Sequence, residues 1–215
     1  LPPGTMWLAL AMLLVFLLES VLEGPPWTWL LTTFAFISEV FWPSGAGLPT
    51  LQGVMTLVTY AFLHGDFMHL ALNLGFLLAF GSFVERYLLL FAATAAFGAL
   101  SEFWFRGAEP VALIGASGAV YGMTGAAARF MFAGADPGQH RPDQRRPNQR
   151  RRALVFIGVF LGLNLVFGIT GLGDFLAGAA VGWKAHIGGL LAGLVLAFLL
   201  GGRRSPRDAG PKEPL

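Results

Sequence analysis

Apolar residues run through the chain in long blocks separated by short polar stretches. Six blocks approach the ~20 residues that a bilayer crossing requires: Met6 to Leu22, Phe62 to Val84, Tyr87 to Phe105, Val111 to Ala133, Ala153 to Ile169 and Val181 to Leu200. In lipid each crossing must satisfy its own backbone hydrogen bonds, so these blocks predict a bundle of six helices. A seventh apolar piece, "WTWLLTTFAFISEVFW" from Trp27 to Trp42, is short, is interrupted by Ser38 and Glu39, and is bounded by Pro26 and Pro43. Its tryptophans suit an aromatic belt, which places it in the membrane interface, within a first loop of about 24–50.

The polar stretches orient the bundle. The loop of about 134–152 and the tail 203–215 carry most of the arginines, and basic loops stay on the cytoplasmic side. Two spans separate loop from tail, and two more separate the loop from Arg86, so all three share that side. The stretch from Arg106 to Pro110 and the Gly-rich turn from Thr170 to Gly182 then face outward. The second, fourth and sixth spans run in the same direction, from the outside in.

Composition agrees with a membrane protein and narrows its chemistry. The 215 residues are 55% hydrophobic and 12% charged, against about 25% charged in soluble domains, and the mean hydropathy is +0.66. The pI of about 9.4 comes from clustered arginines and marks topology instead of a nucleic-acid surface. With no cysteine, disulfides, thiolate metal sites and a cysteine nucleophile are excluded. The block from Met6 has no basic residue before it and no small-residue cleavage site, so it reads as a span, not a removable signal peptide.

Strongly polar groups inside spans are costly and are functional candidates by default. His64, Asp66, His69 and Asn73 fall on the second span, Ser117 and Tyr121 on the fourth, and His186 on the sixth. Each sits in the first part of its span, so all lie at similar depth near the outer face. Counting 1.5 Å per helical residue from Pro110 puts Ser117 about 10 Å down. His69 and Asn73 share a helix face at a spacing of four, as do Ser117 and Tyr121. Gly118 and Gly122 on the fourth span, with Gly189 and Gly193 on the sixth, form small-xxx-small pairs that let helices approach closely. That approach would bring Ser117 and His186 together as nucleophile and general base. His69, Asn73 and the Ser117 backbone N–H could then hold a developing oxyanion. Tyr121 reads as an interface aromatic able to pack on the histidine ring, and His64 as a structural ring bonded to the first-loop backbone.

The segments "HGDFMHLALN" (His64, His69, Asn73), "GASGAVYG" (Gly115, Ser117, Tyr121) and "AHIGG" (His186, Gly189) together resemble the rhomboid intramembrane serine proteases. The resemblance runs from about Gln52 to Gly193. It implies an all-α membrane protein, a six-transmembrane-helix rhomboid-like bundle over 1–202 with an interfacial first loop. It further implies a Ser117–His186 dyad without an acid and an oxyanion site including His69 and Asn73. Tyr121 would stack on His186, with His64, Gly115, Gly118 and Gly189 in support. Glu85 and Arg86 resemble a family pair at the inner end of the second span, whereas Met55 and Thr56 stand where many members carry Trp-Arg.

The activity so implied is hydrolysis of peptide bonds in or near transmembrane segments of other membrane proteins. Its partners would be those substrates and the lipid bilayer, with no nucleic acid, cofactor or metal. The expected setting is a multi-pass position in a bacterial inner membrane, with the active site towards the outer face. Two other readings stand beside it. A non-catalytic rhomboid-like protein would bind transmembrane helices through the same polar groups. The "GLGDF" at Gly171 to Phe175 matches the Gly-x-Gly-Asp of aspartyl intramembrane proteases, but that chemistry needs two carboxylates sharing a proton, and Asp66 is a poor second partner for Asp174.

Overall fold

A computed structural model describes residues 2–84, 88–106, 109–132, 148–171 and 181–200. The helices are α1 (Pro3–Glu19), α2 (Gly24–Phe34), α3 (Ser38–Phe41), α4 (Leu51–Thr59), α5 (Phe67–Val84), α6 (Leu88–Phe105), α7 (Ser117–Phe132), α8 (Asn148–Thr170) and α9 (Trp183–Leu200). A 3-10 turn, Tyr60–Phe62, follows α4, and two short strands, β1 (Phe36–Ile37) and β2 (Ala112–Leu113), pair antiparallel with Phe36 opposite Leu113. Glu85, Arg86, most of the basic loop, Asp174 and the tail lie outside the described residues.

Helix α7 is the hub, touching α5, α6, α8 and α9. Its buried residues, Ala119, Val120, Met123 and Ala126 to Ala128 among them, are mostly small, and a helix apolar on all sides belongs in the middle of a bundle. Small residues also set the spacing to α9. A side-chain carbon added at Gly189 would fall on the Gly118 carbonyl oxygen, and one at Gly193 on that of Gly122. At these two turns backbone lies directly on backbone.

Four boundaries differ from the sequence expectations, each for a local reason. The block from Phe62 to Val84 is not one helix: Leu51–Phe62 and Phe67–Gly81 meet at 87°. Leu63 is extended, and the Asp66 carboxylate accepts the His69 N–H at 2.8 Å, capping a helix that starts afresh at Phe67. His64 and Asp66 therefore lie in the break, not on the span. The fourth block turns helical only at Ser117, because Ala112 and Leu113 are committed to β2. The helical rise from Pro110 consequently does not set the depth of Ser117. Helix α8 begins at Asn148, so Arg150 to Arg152, expected in the basic loop, form its first turns, as suits good helix formers. Trp27 to Trp42 is split by the extended Ala35 and β1 into α2 and α3.

Among the described residues, α8 alone is long and apolar enough to cross a membrane by itself, while α1, α6 and α9 are shorter apolar helices. The first loop is tied to the bundle through Ser38. Its N–H donates to the Val111 carbonyl and its hydroxyl accepts the Val111 N–H, both at 2.9 Å. Arg106 reaches the Ser38 hydroxyl, the Glu39 carboxylate at 3.4 Å and the Glu109 carbonyl at 2.7 Å. The Ser38 hydroxyl, with Arg106 adding, holds the exposed Glu39 carboxyl below its ordinary range. Trp42 stacks on Phe103 at 6.4 Å, and Phe41 meets the same ring edge-on at 5.1 Å. These contacts anchor the loop in a chain that has Met55 and Thr56 in place of Trp-Arg.

If backbone contact sets the α7–α9 spacing, Gly193→Val destabilises the protein by about 2–3 kcal/mol, a typical overpacking cost. Gly158→Ala on α8, where an added carbon meets nothing within 4 Å, changes stability by less than about 1 kcal/mol. Unfolding in detergent compares the two.

Candidate active site

The candidate residues of α5, α7 and α9 lie in the first two turns of their helices. Gly115, with φ +102°, turns the chain out of β2, and Ser117 is the first residue of α7. Only glycine suits that turn, for a side-chain carbon there would be strained and would also strike the His69 imidazole. The Gly115 N–H is held by the Tyr60 carbonyl at 2.9 Å, and the Tyr60 hydroxyl donates to the Ala95 carbonyl at 2.9 Å. Because α7 starts at Ser117, the N–H groups of its first turn have no partner within the helix.

Helix α5 contributes His69 and Asn73. The half-buried His69 ring lies against Gly115, and Asn73, buried one turn on, donates to the His69 carbonyl at 2.9 Å. His64 stands in the preceding break with its ring 5.2 Å from that of His69, edge to face. Its N–H donates to both Glu19 carboxylate oxygens, at 3.0 and 3.2 Å, and its Nδ1 lies 3.2 Å from the Phe62 carbonyl. His64 thereby joins α1 to the turn before α5.

Helix α9 contributes His186, which is buried near the outset of the helix. The Tyr121 ring stacks on it with centroids 4.4 Å apart and planes 9° from parallel. Asn164 on α8 lies 2.7 Å from His186 Nδ1 and donates to the Trp183 carbonyl at 2.9 Å. From α6, Glu102 accepts the Ala185 N–H at 3.0 Å and Ser101 donates to the Lys184 carbonyl at 2.9 Å. A carboxylate at a helix N-terminus is favourably placed against the helix dipole.

Tyr121 sits one turn beyond Ser117, and Gly118 packs on Gly189, so His186 adjoins the first turn of α7. No hydrogen bond joins Ser117 Oγ to His186 among the described residues; such bonds are often long before substrate binds. The arrangement offers a half-buried hydroxyl at the head of α7, a ring held against Tyr121 one turn on, helix N–H groups without an intrahelical partner and two polar side chains from α5. Those are the parts that acyl transfer uses. Asp66, by contrast, is exposed and engaged as the α5 cap.

The rhomboid domain model matches residues 51–203, most of the chain and all of the site helices. The chain belongs to the rhomboid family. Its members form an intramembrane protease family acting on membrane-protein substrates, and membership makes this an integral membrane protein. Comparison with curated proteins gives no match.

Three polar residues of this rhomboid domain and its flanking helix were not singled out from sequence: Glu19, Glu102 and Asn164. Each is buried, and each secures a segment that carries a candidate residue. The signal was available, since all three interrupt apolar blocks just as the histidines do.

Gly115→Ala should cost about 2–4 kcal/mol, combining backbone strain with displacement of His69. Gly65→Ala, whose added carbon makes only an ordinary 3.4 Å contact with Ile114, serves as the control. Thermal unfolding of the two variants in one detergent reads the difference.

Proposed function

We propose that this rhomboid-family chain is an intramembrane serine endopeptidase that cleaves transmembrane segments of other proteins. The carrying observation is the Tyr121–His186 stack, which sets the histidine beside the helix turn headed by Ser117. Ser117 Oγ attacks the scissile carbonyl while His186 takes its proton and returns it to the departing amine. Water then hydrolyses the acyl-enzyme with His186 again as base. His69, Asn73 and the Ser117 N–H receive the oxyanion.

In this reading α1, α5, α6, α7, α8 and α9 are the six crossings, shortened where the site needs water and helix ends near the outer face. Arg129 in the last turn of α7 and Arg150 to Arg152 at the start of α8 support, through the positive-inside rule, a cytoplasmic position for those ends in a bacterial inner membrane.

In liposomes carrying a single-span substrate, Ser117→Ala and His186→Ala each reduce cleavage at least ~10³-fold, to background. Cleavage that survives Ser117→Ala defeats the proposal. Failure of the wild type to cut any of several substrates that it nonetheless binds would establish a transmembrane-helix binder instead. Within the proposed mechanism, Asn73→Ala lowers kcat about 10²-fold with KM little changed, as loss of one oxyanion donor does; single-turnover kinetics separate the two parameters.

A further inference from the structure

The stack on Tyr121 leaves one freedom of the His186 ring unspecified. Rotation by 180° about the Cβ–Cγ bond keeps the ring in the same plane, 4.4 Å from Tyr121, yet exchanges Nδ1 with Cδ2 and Nε2 with Cε1. Stacking alone also says nothing about which nitrogen carries the proton.

Asn164 resolves both. It is buried, with 2% of its surface exposed, and both ends of its amide are used. The Trp183 carbonyl can only accept, so the group 2.9 Å from it must be the amide nitrogen. The amide oxygen is then the atom 2.7 Å from His186 Nδ1, and a carbonyl oxygen can only accept. Nδ1 must therefore carry the hydrogen, which leaves the lone pair of the neutral ring on Nε2. That is the nitrogen a general base presents when its other nitrogen is held from behind.

We propose that Asn164 is a positioning residue for His186, completing a Ser117–His186–Asn164 constellation in which α8 supplies the third member. Asn164 selects the Nδ1–H tautomer, prevents the ring flip, and keeps its hydrogen bond when His186 becomes an imidazolium during the reaction. An amide performs this without burying an anion in an apolar helix, where an unpaired carboxylate is expensive. Histidine paired with asparagine serves the same end in some cysteine proteases. Among the described residues neither Tyr121, which meets the face of the ring, nor His69 on α5 is a hydrogen-bond partner of Nδ1. The role rests on the serine protease reading, but its structural half can be measured without activity.

The experiment is nitrogen NMR of protein labelled in its histidine rings, in the Ser117→Ala background, with kinetics on the active counterparts. The His186→Gln spectrum assigns the signals. The neutral His186 ring of the Asn164-intact protein should show a protonated Nδ1 and an unprotonated Nε2. Asn164→Leu should convert it to a mixture rich in the Nε2–H form and lower kcat about 10–100-fold, with KM within about twofold. Asn164→Asp, which keeps an oxygen for Nδ1–H, should restore the tautomer and most of the activity. An Nε2–H tautomer with Asn164 intact overturns the proposal even if no variant folds, and so does Asn164→Leu that leaves tautomer and kcat unchanged. Cleavage that persists in Ser117→Ala defeats the serine mechanism alone, because the spectra still report whether Asn164 sets the ring.

Discussion

The contact on which the site depends is backbone against backbone: Gly118 and Gly122 of α7 on Gly189 and Gly193 of α9. Bilayer lipid is as apolar as leucine, so membrane helices gain little from hiding apolar side chains from each other and associate through close packing instead. Glycine at two successive turns allows the closest packing available, and it favours the one rotation of each helix that sets these glycines against each other. The rotation determines that Tyr121 covers His186 and that Ser117 shares their end of the interface. A looser crossing could carry the same residues without this register.

Around that contact, the polar groups of the apolar helices are tied into the fold by local partners. Thr94 and Thr124 return hydrogen bonds to carbonyls of their own helices, and Asn73 does the same. Glu19 and Glu102 instead accept N–H groups of His64 and Ala185, residues at or beside helix beginnings that have no intrahelical partner to offer them. Free N–H groups need acceptors and buried carboxylates need donors, so each satisfies the other. The first turn of α7 likewise has N–H groups without an intrahelical partner, and in the proposed reading an oxyanion fills that need.

Much of this was legible in the sequence because spacing and polarity report helix faces directly. The pairs His69/Asn73 and Ser117/Tyr121, the glycine repeats and the isolated His186 are each visible within a few residues of chain. Helix ends were less legible. The break at His64 to Asp66 follows from a single capping carboxylate, and the late start of α7 from a strand pairing with residues some 75 positions away. Apolar block length registers neither. Asn164, Glu102 and Glu19 were overlooked for a related reason: each supports a residue on another helix, so its purpose appears only once the partner helix is in place.

Helix α8 shows how such a partner can matter beyond stability. Only 6% of its most apolar stretch is buried within the protein, and Leu154, Val155, Val159, Val166 and Ile169 face outward. Phe156 and Phe160 on its inner face meet Phe76 and Phe80 of α5 and Tyr121 of α7, and the Asn164 amide ties it to two groups on the first turn of α9. A hydrogen-bonded link costs little when formed and leaves unpaired polar groups in a low-dielectric interior when broken. Hence a helix with a largely lipid-facing surface is held by a polar link at the position where it meets His186. A displacement of α8 that breaks this link also frees the His186 ring from its partner at Nδ1, so the orientation of that ring and the position of α8 are coupled.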